Sequence, residues 1–123
     1  MNSPFEMTKE EMTSYGYKIV DQIVNHFTEV EHKKPVKKAS RKEMDTIFLS
    51  EAPDEATSAD DVLDFVMKNV MPNSIILSHP KSFSFVPGPS NFISAMSDSL
   101  ATGFNIFSGG WNIAPAAAEL EIV

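Results

Sequence analysis

HPKSFSFVPGPSNF, residues 79–92, and GFNIFSGGWNIAPAAAELEIV, residues 103–123, are the stretches on which the reading of this chain turns. Pro80, Pro87 and Pro89 exclude regular helix in the first of them, because each fixes φ, lacks an N–H and biases the preceding residue toward extended backbone. An extended, partly buried loop is expected from His79 to Gly88, with aromatics at alternate positions. Beyond it Phe92, Met96, Leu100 and Phe104 recur every four residues, which predicts a helix capped at Ser90 or Asn91 and ended by Ser108, Gly109 and Gly110. Pro115 suits the first turn of a further helix running through Glu121. On periodicity alone Phe83, Phe85, Phe92 and Phe104 read as core more readily than as the wall of a pocket.

Working outward, the first 76 residues read as helices. Thr8 and Glu11 have the spacing of a capping box, and behind them Met12, Tyr15, Ile19, Ile23 and Phe27 form one apolar stripe, widened by Val20, Val24 and Val30. This predicts a long amphipathic helix ending before Pro35, weakened by Gly16 at about 1 kcal/mol relative to alanine. The stripe serves either an intrachain core or a dimer surface. A second box, Ser40 and Glu43, opens a short helix through Met44, Ile47 and Phe48. Ser58, with Asp60 and Asp61 behind it, opens a third, with Val62, Phe65, Val66 and Met71 expected to face inward.

The chain has 123 residues, a net charge of −7 and no cysteine. Its acidity argues against nucleic acid as a ligand, since phosphate binding needs a basic face. The basic run of Lys33, Lys34, Lys37, Lys38, Arg41 and Lys42 reads as a solvated linker. Without cysteine, disulfides and thiolate metal sites are excluded. With no signal-peptide pattern and no apolar run of membrane length, a soluble cytoplasmic protein is expected.

A search for catalytic groups comes back nearly empty. His26, His32 and His79 form no ligand pair with metal spacing, and no serine lies in a nucleophile-elbow context. Glu119 and Glu121 lie two apart and do not share a helix face. No catalytic residue and no metal site is assigned.

The two quoted stretches are specific enough to carry a resemblance. From Leu77 to Val123 the chain closely resembles the group II pyridoxal-phosphate-dependent amino-acid decarboxylases, whose members act on aromatic amino acids, histidine or glutamate. The preceding helices fit the same family's N-terminal region in pattern, including the pair Tyr15–Gly16. The resemblance implies a mainly α fold: an N-terminal helical flap and dimerisation segment over residues 1–76, then a substrate loop and the first helices of the type I, aspartate-aminotransferase-like fold over residues 77–123. The catalytic α/β sheet would lie beyond Val123. Phe85, Val86, Pro87 and Gly88 would stand near the substrate, and Phe107, Gly109 and Trp111 would belong to the segment that crosses to the neighbouring subunit's site. Flat rings are well held by such apolar, uncharged surfaces. The loop departs from the family's most aromatic form, with Phe85–Val86 where a tyrosine–phenylalanine pair is frequent and Gly88 where threonine is common.

By the same resemblance the cofactor is pyridoxal 5′-phosphate, bound mainly by residues this chain does not contain, and the complete protein is a homodimer acting on an amino-acid substrate. The expectation is therefore an N-terminal fragment of a carboxy-lyase for an aromatic amino acid, inactive alone and contributing dimer interface and substrate-pocket wall. The alternatives are a decarboxylase of an acidic or diamino acid, and a non-enzymatic helical interaction module. The uncapped apolar end at Ile122 and Val123 suggests a truncated helix.

Overall fold

The computed structural model describes residues 6–83, 86 and 88–123. Every regular element among them is helical, as the periodicities require, and they gather into two compact units, residues 1–89 and 90–123.

The first unit opens with α1, Lys9–Thr28. Its start is set by a reciprocal box: the Thr8 N–H donates to Glu11 Oε2 at 2.7 Å, and the Glu11 N–H donates to Thr8 Oγ1 at 3.2 Å. Two of the four N–H groups a helix leaves unpaired at its start thereby find acceptors. These bonds hold the Glu11 carboxyl below its ordinary range. A 3₁₀ turn, Val30–His32, carries the chain to the break before Pro35. The same device opens α2, Arg41–Phe48, where Glu43 Oε2 accepts from the Ser40 N–H at 2.7 Å and from its hydroxyl at 2.8 Å.

Ser58 caps α3, Ala59–Phe65, by accepting the Asp61 N–H at 3.1 Å. The helix does not stop at Phe65 but widens into a π-type turn, Val66–Val70, and tightens into a 3₁₀ turn, Met71–Asn73. Side chains take up carbonyls along this irregular stretch: Asn69 Nδ2 donates to Phe65 O (3.0 Å), Asn73 Nδ2 to Asn69 O (2.7 Å) and Ser74 Oγ to Val70 O (2.9 Å). Here the expectation of inward-facing apolar residues fails for Val62, Phe65 and Met71, which are exposed, while Val66 is half-buried. Phe65 finds a partner on α2 instead, its ring meeting Phe48 edge-on at 5.8 Å.

Several polar contacts tie distant parts of this unit together. Lys18 Nζ pairs with Asp60 Oδ2 at 2.6 Å, and the Ile76 N–H donates to Pro35 O at 2.8 Å. His26 Nε2 lies 3.4 Å from Ser78 Oγ while its ring meets Phe27 edge-on. The α1 stripe is half-buried at Tyr15, Ile19, Ile23 and Phe27 and exposed at Met12. No hydrophobic residue among those described is fully buried.

The second unit holds α4, Phe92–Phe104, and α5, Pro115–Ile122. Asn91 and Ser94 cap α4 reciprocally, with Asn91 Oδ1 accepting the Ser94 N–H at 2.9 Å. The helix ends earlier than its glycines suggest. Asn105 takes the left-handed conformation (φ 45°, ψ 49°) and closes the helix by donating its N–H to Ala101 O. Asparagine is the residue that tolerates this region best after glycine, so the stop comes before the Ser108–Gly109–Gly110 turn. Phe92 and Phe104 are exposed, which removes them from any core within this chain.

Candidate functional site

The proline segment opens with turns. The His79 N–H donates to Ile76 O at 3.2 Å, and the Ser82 N–H donates to His79 O at 2.8 Å. Pro80 occupies the second position of that latter turn, where its fixed φ is an advantage. The expected extended loop from His79 is therefore corrected: residues 76–82 are two successive turns. His79 is the one buried polar or charged residue among those described, 5% exposed. Its Nδ1 accepts the Lys81 N–H at 3.0 Å, which places the ring proton on Nε2, a buried atom with no partner, as are Ser82 Oγ and Asn73 Oδ1. Periodicity gave no hint of this, because a lone histidine before proline carries no burial signal.

Of the residues expected near substrate in this loop, Phe85 and Pro87 lie outside the described residues. Val86 is fully exposed and Gly88 is exposed, in the same segment as the exposed Phe83. Their surfaces are open to a ligand or to another piece of protein.

In the second unit the segment between α4 and α5 carries Phe107, Gly109 and Trp111. The Phe107 ring lies against Gly109: a Cβ built on Gly109 would stand 2.5 Å from Phe107 Cζ and 3.0 Å from each Cε. Such approach is open only to glycine. Ser108, between them, donates its hydroxyl to Glu121 Oε1 on α5 at 2.7 Å. The Ile113 and Ala114 N–H groups both donate to Gly110 O at 3.1 Å, folding Trp111 into the turn that leads to Pro115. Phe107 and Trp111 remain more than half exposed. Structure thus brings Phe107 and Gly109 into contact and sets Trp111 on the adjoining turn. The Ser108–Glu121 bond was not legible in advance, since thirteen residues and a turn separate the partners.

Residues 90–123 contain Asp98, Glu119 and Glu121 and no lysine, arginine or histidine. The unit therefore offers aromatic faces and backbone, and no cation for an anionic side chain. Among the described residues no cluster of histidine, aspartate and glutamate is placed to hold a metal ion, and no helix is long and apolar enough to cross a membrane.

No family model matches the chain. Individual proteins do. An aromatic-L-amino-acid decarboxylase of Bacillus atrophaeus is 31% identical over 123 residues, which is 99% of this chain and 25% of that protein. The chain resembles the N-terminal region of aromatic amino-acid decarboxylases. A tyrosine decarboxylase of Narcissus pseudonarcissus is 26% identical over 117 residues, covering 95% of this chain and 23% of that protein. The crystal structure of Catharanthus roseus tryptophan decarboxylase in complex with L-tryptophan superposes with a TM-score of 0.80 at 23% identity, over 94% of this chain and 24% of that one. The chain thus spans about a quarter of the length of the decarboxylases it matches, and its helical architecture is that of their N-terminal part.

Proposed function

We propose that this chain is the N-terminal segment of a pyridoxal-phosphate-dependent decarboxylase of aromatic L-amino acids. In that role residues 1–76 cover the dimer, Phe85, Val86, Pro87 and Gly88 stand near the substrate, and Phe107, Gly109 and Trp111 belong to the segment that lines the neighbouring subunit's substrate site. The aromatic preference is carried by one observation: the unit bearing Phe107 and Trp111 has no basic residue, so it can stack a ring but cannot neutralise a carboxylate side chain.

The cofactor's own chemistry belongs elsewhere in such an enzyme. Pyridoxal phosphate, when bound, serves as electron sink for loss of carbon dioxide. The residues present do not fit the task of holding it, because every lysine is exposed except half-buried Lys33, and Lys33 already stands 4.0 Å from Glu29. The chain's contribution is to bind and orient the substrate ring and to keep water from it.

The exposed apolar surface supports the dimer-covering role. Within residues 1–76 Met12, Tyr17, Leu49, Phe65 and Met71 stand exposed, apolar surface of the kind that another protein surface covers. The test is carbon dioxide release by the complete protein with cofactor, offered L-tryptophan, L-tyrosine, L-phenylalanine, L-glutamate and L-2,4-diaminobutyrate, together with its sedimentation. Turnover of an aromatic amino acid by a dimer is expected. Turnover confined to glutamate or diaminobutyrate overturns the aromatic reading, and an active monomer overturns the dimer-covering role.

A further inference from the structure

The contact between Phe107 and Gly109 carries more than membership of a pocket wall. A ring two residues away has folded back onto the glycine so closely that no side chain fits beneath it, with Cζ only 2.5 Å from where a Cβ would stand. The residue between ring and seat is pinned, because Ser108 donates to Glu121 on α5 at 2.7 Å. Backbone at 108 therefore resists following the ring if the ring is pushed. The ring itself is free to move toward its open side, being 63% exposed.

We propose that Gly109 is a positioning residue that sets the depth of the aromatic wall: lacking a side chain, it lets the Phe107 ring lie flat on the backbone and leaves room for a large, bicyclic aromatic substrate. A methyl group at 109 would lift the ring off its seat toward the ligand side. Because the clash falls on the far end of a side chain and not on backbone, the fold accommodates the change. The effect appears in substrate selection. The inference rests on the reading that Phe107 faces the substrate, and the variants below separate the two.

The experiment uses the complete holoenzyme with Gly109→Ala, Phe107→Ala and the double variant, measuring KM and kcat for L-tryptophan and L-phenylalanine. Gly109→Ala is expected to raise KM for L-tryptophan by roughly tenfold, the scale on which small steric changes in a pocket discriminate ligands. KM for L-phenylalanine should rise less than KM for L-tryptophan, so the ratio of the two KM values increases. Adding Phe107→Ala should abolish the discrimination, since the ring through which the methyl acts is gone. An unchanged ratio of the two KM values in Gly109→Ala, with Phe107→Ala shifting them, overturns the positioning role and leaves the pocket reading standing. Persistence of the effect in the double variant also overturns it. Phe107→Ala without effect on either KM overturns both.

Discussion

Gly16 lies in the middle of α1, with ordinary helical backbone and nothing within 4 Å of the position a Cβ would occupy. Gly16→Ala is therefore free of steric cost within this chain, and the change acts through backbone entropy. Glycine in a helix interior is less favourable than alanine by about 1 kcal/mol, which corresponds to roughly a fivefold shift in the ratio of closed to open helix. Local opening is read most directly by amide hydrogen exchange, since α1 lacks a buried core to make its unfolding global. Protection of the Tyr17 to Val20 amides in the 123-residue chain is expected to rise about fivefold on that arithmetic. In the complete, assembled enzyme the gain should shrink or reverse, because Gly16 neighbours the exposed Met12 and Tyr17 on the surface proposed to be covered by other protein. Unchanged or reduced protection in the short chain would refute the propensity argument. An undiminished gain in the assembled enzyme would show that nothing packs against that part of α1.

Three further outcomes follow from the caps and from His26. Ser40→Ala should cost about 1 kcal/mol of α2 stability; the backbone N–H at position 40, the larger of the two influences that hold Glu43 below its ordinary range, stays, and loss of the hydroxyl should let that carboxyl titrate only part of the way back up in an NMR pH series. Asn105→Val should lose the bond from its N–H to Ala101 O, since a β-branched residue in the left-handed region costs roughly 1–2 kcal/mol, whereas Asn105→Gly should keep it; exchange of that amide distinguishes them. His26 is held below the ordinary imidazole value of 6.5, first by partial burial and then by Lys33. A group charged less readily when folded contributes nothing above that value and destabilises as pH falls through it, until the folded form also protonates. Helicity followed by circular dichroism should therefore decline on acidification below about pH 6.5, and His26→Gln should flatten that part of the curve.

Much of the helical plan was legible because it is written in local chemistry. Thr8–Glu11, Ser40–Glu43 and Ser58 announce their helices by spacing alone, and each cap forms as expected. What could not be read was set by contacts remote in sequence or by backbone choice. Asn105 ends α4 by adopting a conformation available to it but not demanded by its identity. Pro80 reads equally well in an extended loop or at the second position of a turn, and the buried His79, bonded to the Lys81 N–H, goes with the turn. The apolar periodicity at Val62, Phe65 and Met71 says only that one face avoids water, without naming what covers it. For the candidate site, the aromatic and glycine residue types pointed to a wall, but the folding of Phe107 onto Gly109 and the Ser108–Glu121 bond are three-dimensional facts.

The way the elements are held bears on how such a segment would join the rest of an enzyme. Reciprocal caps fix the starts of α1, α2 and α4, a left-handed asparagine fixes the end of α4, and side-chain amides and a hydroxyl satisfy the irregular turn from Val66 to Asn73. None of these devices consumes apolar surface. Two polar ties, Lys18–Asp60 and His26–Ser78, join distant parts of the first unit in the same way. Helix boundaries are thereby specified before the apolar faces have met anything, so docking those faces orders less chain and forfeits less conformational entropy than folding an unstructured segment onto a partner. A surface exposed ion pair such as Lys18–Asp60 adds only about 0–1 kcal/mol, too little to hold a fold but enough to bias the pre-docked arrangement. On this argument the caps set the shape, and the buried area gained on assembly supplies the stability.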